Sequence, residues 1–89
     1  MNISVESVEV KQDEESGTVA QVVFRVEGHP KPYEITLYSE KGDDWEYGLH
    51  FAGEPGSEKL IGEVEAYLEE NDDAFRMLVD AVLSSGRGR

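Results

Sequence analysis

The sequence predicts an α+β fold: a four-stranded antiparallel meander, order 1-2-3-4, followed by two helices packed on one face to make two layers. Three observations carry this expectation. The first two-thirds of the chain alternates apolar and polar residues with period two, and the last third changes to helical spacing. Short clusters of Gly, Pro, Asp, Glu and Ser separate the apolar runs. Connections this short favour neighbouring antiparallel strands, whose single apolar face the helices then cover.

The first strand is expected over residues 2–12. Ile3 and Val5 share one parity and Val8 and Val10 the other, so a bulge or bend is expected near Glu6–Ser7. After the turn "DEESGT", Thr18–Glu27 reads Ala20, Val22, Phe24 and Val26 on one face. It is the run richest in β-branched residues, as suits a central strand. "GHPK" turns the chain into Pro32–Ser39, with Tyr33, Ile35 and Leu37 inward. "EKGDD" then leads to Trp45, Tyr47, Leu49 and Phe51, which alternate with Glu46, Gly48, His50 and Ala52. In "GEPGSEK", Ser57 is placed to cap a helix and Glu58 to occupy its positive first turn. Leu60, Ile61, Val64, Tyr67 and Leu68 follow at helical spacing. Asn71 or Asp72 caps a second helix that buries Ala74, Phe75, Leu78, Val79, Val82 and Leu83, with Gly86 at its C-terminal end. The expected organisation is one domain over residues 1–86, with the sheet at about 2–53, helices at about 57–70 and 73–84, and a flexible tail at 87–89.

Register can be derived too, because a slip of one residue would turn every side chain to the wrong face. A three-residue loop Glu15-Ser16-Gly17, with Gly17 at positive φ, pairs Val8 with Phe24 and Val10 with Val22. A loop over Gly28–Lys31 pairs Val26 with Tyr33 and Phe24 with Ile35. Setting Ser39 against Trp45 pairs Leu37 with Tyr47 and Ile35 with Leu49. On the helix-free face these choices predict the rows Arg25–Glu34–His50, Val23–Thr36–Gly48 with Glu9 beside Val23, and Gln21–Tyr38–Glu46.

Composition narrows the function classes. The formal charge is -12, from 14 Glu and 6 Asp against 8 bases. Phosphate neutralisation needs clustered Lys and Arg, so neither direct nucleic-acid binding nor an anionic membrane surface is expected. A chain without cysteine offers no disulfide, thiolate nucleophile or Cys-based zinc site. No cofactor is expected. The N-terminal stretch lacks the basic start and apolar run of a signal peptide, and no run reaches the ~18 apolar residues of a membrane span. The expected location is cytoplasmic.

Two surfaces carry candidate chemistry. On the open sheet face, Arg25, Glu34, Thr36, Tyr38, Gly48 and His50 are expected together. Glu34 there could orient His50 as an acid/base pair, but no nucleophile accompanies the pair and an enzyme is not expected. His29 and His50 lack metal-ligand spacing, and "DEE", "DD" and "NDD" are simplest as turns and helix caps. "GEPGSEK" runs from strand to helix without the spacing of a phosphate loop. The second surface is acidic: Glu58, Glu63, Glu65, Glu69, Glu70, Asp72 and Asp73 crowd the first helix and its exit, with Lys59 the one base in that helix. The expected function is a non-enzymatic protein-binding or regulatory module. Its partner is a basic protein met through the acidic surface, or a partner met through the open sheet face. A small-molecule or cation-binding face is the alternative, and homodimerisation through the sheet face or an edge strand is a further expectation.

Overall fold

The computed structural model describes residues 1–13, 15, 17–41 and 44–87, with Gly86 and Arg87 described as helix backbone alone. Four strands are followed by two helices: β1 (Ile3–Asp13), β2 (Gly17–Val26), β3 (Tyr33–Ser39), β4 (Glu46–Phe51), α1 (Glu58–Glu70) and α2 (Asp72–Arg87). The strands form one antiparallel sheet in the order β1-β2-β3-β4. Both helices lie on the face formed by the inward residues of that alternation. No described helix is long and apolar enough to cross a membrane.

The core follows from the parity of the two central strands. Ala20, Val22, Phe24 and Val26 from β2 and Tyr33, Ile35 and Leu37 from β3 are buried against Val64 and Leu68 of α1 and Leu78, Val79 and Val82 of α2. Each large aliphatic side chain removed from water in this way stabilises the fold by roughly 1.5–3 kcal/mol. The Tyr33 ring lies between Phe24 and Phe51, with centroids 5.8 and 5.7 Å away, and its hydroxyl shares a 2.7 Å hydrogen bond with His29 Nδ1. A buried phenol thus keeps a partner. Burial, and secondarily the charge of Glu63, raises the Tyr33 pKa above its ordinary value.

Local signals place the helices. Ser57 Oγ accepts a hydrogen bond from the Leu60 amide at 3.2 Å, which satisfies one of α1's orphan donors. Asn71 then joins the helices in a single residue. Its backbone N–H and side-chain amide both donate to Tyr67 O, and its own carbonyl accepts from Ala74 and Phe75. Two details of α2 depart from expectation. The helix continues through Gly86 to Arg87, so Gly86 does not terminate it, and Leu83 is 42% exposed instead of buried. A single helix stripe covers β1 and β2, and Leu83 lies beyond its edge. Of the expected tail, Arg87 belongs to the helix, and residues 88 and 89 lie outside the described residues.

The expected bulge is present, with the β1–β2 register shifting between Val5 and Ser7. The β3–β4 register is also as derived, pairing Leu37 with Tyr47 and Ile35 with Leu49. The other two registers differ from expectation by two residues each. Val8 faces Val22 and Val10 faces Ala20, with Asp13 opposite Gly17. Gly17 has the expected positive φ of +96°, but it opens β2 instead of ending the loop, and Ser16 of that loop lies outside the described residues. Between β2 and β3, Phe24 faces Tyr33 and Val22 faces Ile35. The cause is visible in the turn. Val26 O accepts from the His29 amide at 3.0 Å across Gly28, whose φ is +88°, while Glu27 N donates to Asn2 O. The end of β2 therefore stays bound to β1, and β3 starts only after Pro30 and Pro32, neither of which has an N–H to give. A shift of two preserves every face, so the core is as expected although its neighbours are not.

Candidate functional site

The two-residue shifts rearrange the open sheet face. Its rows are Ser7–Val23–Glu34–His50, Glu9–Gln21–Thr36–Gly48 and Lys11–Val19–Tyr38–Glu46. Glu34 and His50 meet as derived, with Oε1 2.8 Å from Nε2. Arg25 does not join them. It faces Ser4 in β1, and its Nε donates to Glu6 Oε2 at 2.8 Å, in the bulge. Val23 takes the place expected for Arg25, and Gln21, not Val23, stands beside Glu9 and Thr36. Thr36 is directly opposite Gly48, and Tyr38 opposite Glu46.

This face is partly wet, with the His50 side chain 47% exposed. An exposed pair of this kind contributes on the order of 0–1 kcal/mol. Thr36, the nearest hydroxyl in register, makes no hydrogen bond to His50. Ser7 lies three strands away, roughly 14 Å at ~4.8 Å per strand. Among the described residues, no group of three or more His, Asp or Glu could hold a metal ion.

The acidic residues behave differently. Glu58, Glu63, Glu65, Glu69, Glu70, Asp72 and Asp73 are all exposed. None of them forms an ion pair among the described residues, and Lys59 forms none with Glu63 one turn on. Glu58, Asp72 and Asp73 occupy first turns, where the helix dipole favours negative charge. Glu69 and Glu70 occupy the last turn of α1, which carries no base, and there the dipole opposes them. Glu65 and Glu69 add a like-charge pair at i, i+4.

Next to these acids lies a groove that sequence reasoning did not foresee. Trp45 and Tyr47 were expected to be core on the helix side, and they do face the helices. Both nonetheless remain partly exposed, because neither α1 nor α2 fully covers the beginning of β4. No residue of β4 is fully buried, whereas β3 buries Tyr33, Ile35, Leu37 and Ser39. The resulting groove of about 410 Å³ has Trp45 and Tyr47 on one side and Leu68, Phe75 and Val79 on the other, with Glu69, Asp72 and Arg76 at its polar edge. The Tyr47 and Phe75 rings approach to 5.4 Å in a tilted arrangement, and the Tyr47 hydroxyl donates to Glu69 Oε2. Burial raises the Tyr47 pKa above its ordinary value, and the hydrogen bond to Glu69 and the charges of Glu69 and Glu65 push it the same way. The sequence signal for the groove was the edge position of β4, the strand with no fully buried residue.

No protein-family model matches the chain, and no curated protein or solved structure matches it.

Proposed function

We propose that this protein is a non-enzymatic binding module whose acidic α1–α2 surface docks a basic segment of a partner protein. One observation carries the reading: Glu69 and Glu70 sit in the last turn of α1, which itself carries no base. Charges placed there weaken the helix by roughly 0.3–1 kcal/mol each, so helix stability does not account for them. A cationic partner does, because it would turn an unfavourable local field into an attractive one and would accelerate encounter. The test is affinity capture from native lysate with the wild type and with the triple reversal E63K/E65K/E70K, which leaves the Tyr47–Glu69 hydrogen bond in place. The reading expects basic proteins on the wild type at low salt, their loss at high salt, and their loss on the reversal. An unchanged set of captured proteins on the reversal rejects it.

A second reading, self-association, is supported by the hydrogen-bond phase of β4. Ala52 N donates to Pro32 O, so in the alternation of an antiparallel ladder Glu46, Gly48 and His50 bond to β3. Tyr47, Leu49 and Phe51 therefore turn their backbone groups to the free edge. With Gly48 on a two-fold axis, two copies would set Tyr47 against Leu49 and Glu46 against His50. Such pairing has to overcome repulsion between two chains of charge -12, so it should strengthen as salt rises. Sedimentation that shows a monomer at every salt concentration rejects it.

A further inference from the structure

We propose that the groove between β4 and α2 is a binding site for an arginine side chain carried by the basic partner segment. The inference rests on the acidic-surface reading and adds the specificity element that a field of charge lacks. Apolar walls alone would not select a cation. Here Trp45, Tyr47 and Phe75 present three aromatic rings in one groove, and the ring faces attract a cation through their quadrupoles. Two carboxylates, Glu69 and Asp72, lie at its edge. Glu69 uses Oε2 for the Tyr47 hydroxyl, which leaves Oε1 for a ligand and holds the carboxylate against the ring. The hydrogen bond thus ties the charged edge to the aromatic wall.

Arginine fits this combination better than lysine. Its guanidinium is planar, stacks on an aromatic face, and presents paired N–H groups to carboxylates while losing little hydration. The volume of about 410 Å³ lies within the ~300–1,000 Å³ range of ligand clefts and admits one long side chain with its flanking backbone. Arg76 stands on the same edge, one turn beyond Asp72, and forms no ion pair among the described residues. Two carboxylates against one guanidinium leave the edge negative, and Arg76 acts as a weak internal competitor.

The chain provides its own reporter, since Trp45 is its single tryptophan. The probes are a fluorescein-labelled peptide, Lys-Gly-Arg-Gly-Lys, and the same peptide with uncharged citrulline in place of arginine. Anisotropy reads total binding, and unlabelled peptide with Trp45 emission reads occupancy of the groove. The expected result is a saturable change in Trp45 emission with the arginine peptide and binding about tenfold weaker with the citrulline peptide. D72N and E69Q should each weaken the arginine peptide several-fold, and R76Q should tighten it. These residues are exposed, and far-UV dichroism checks that the variants stay folded. Binding seen by anisotropy with unchanged Trp45 emission, and no effect of D72N or E69Q, overturns the groove while the acidic-surface reading stands. Equal affinity for the arginine and citrulline peptides also overturns it. Absence of binding in both readouts overturns both readings.

Discussion

Replacing Gly17 and Gly28 separately by alanine gives a direct measure of the sheet's register. Both glycines have positive φ, +96° and +88°, so a side chain strains the backbone at either position. That strain costs about 1–2 kcal/mol, and the lower entropy of the unfolded alanine chain offsets about 0.4–1 kcal/mol of it. G28A carries no further cost, because a Cβ there meets nothing within 4 Å. G17A does, because its Cβ would stand 2.4 Å from Ser39 O and 2.7 Å from Glu40 Cα. Both are backbone atoms, and 2.4 Å is nearly 1 Å inside the ~3.3 Å of a close carbon–oxygen contact. Relief requires β2 to move away from the end of β3, a cost of the size of overpacking, about 1–3 kcal/mol. G17A is therefore expected to be less stable than G28A by about 1–3 kcal/mol, or some 5–20 °C in Tm. Urea unfolding monitored by Trp45 fluorescence measures the difference. Equal stabilities within about 0.5 kcal/mol would refute the pairing of Thr18 with Ser39 that brings these atoms together.

Leu78→Ala should cost about 2–5 kcal/mol in urea unfolding, whereas Leu83→Ala, at a site 42% exposed, should stay within about 0.5 kcal/mol. A double-mutant cycle between Arg25 and Glu6 should give a coupling of up to about 1 kcal/mol, while one between Arg25 and Glu34 should give none. Stability should also fall in alkali. The folded-state pKa of Tyr47 lies above its unfolded value, so its contribution is complete below about pH 10 and is lost as pH rises through the folded pKa. Tyr33 is shifted in the same direction, so Tyr47→Phe should make the alkaline loss shallower without abolishing it. Identical alkaline slopes for wild type and variant would contradict the raised pKa of Tyr47, whose first cause is burial.

Face was legible in the sequence because parity encodes it. Val22, Phe24, Ile35 and Leu37 could turn inward in one way only, and the parity break between Val5 and Val8 announced the bulge. Register was legible for β3 and β4 and not for the other two pairs. At the β2–β3 turn, the Glu27 amide bonds to Asn2, and the two prolines delay β3. Neither effect appears in an apolar pattern, so the count ran two residues long and placed Arg25 beside Glu34. The Glu34–His50 contact survived because the β3–β4 register alone determines it. The groove stayed hidden for a different reason. Trp45 and Tyr47 have the parity of core residues, and only the placement of α1 and α2 over the sheet decides that they stay partly open.

In the proposed function, the acids of α1 and the adjoining turn of α2, none of them in an ion pair among the described residues, recognise a basic partner. The most direct measurement is the affinity of the Lys-Gly-Arg-Gly-Lys peptide for the wild type and for E63K/E65K/E70K, each followed from low to high salt. Binding by the wild type that weakens steeply with salt, and that the reversal abolishes, is the predicted result. Equal affinity of the two proteins, or wild-type affinity independent of salt, would contradict the claim.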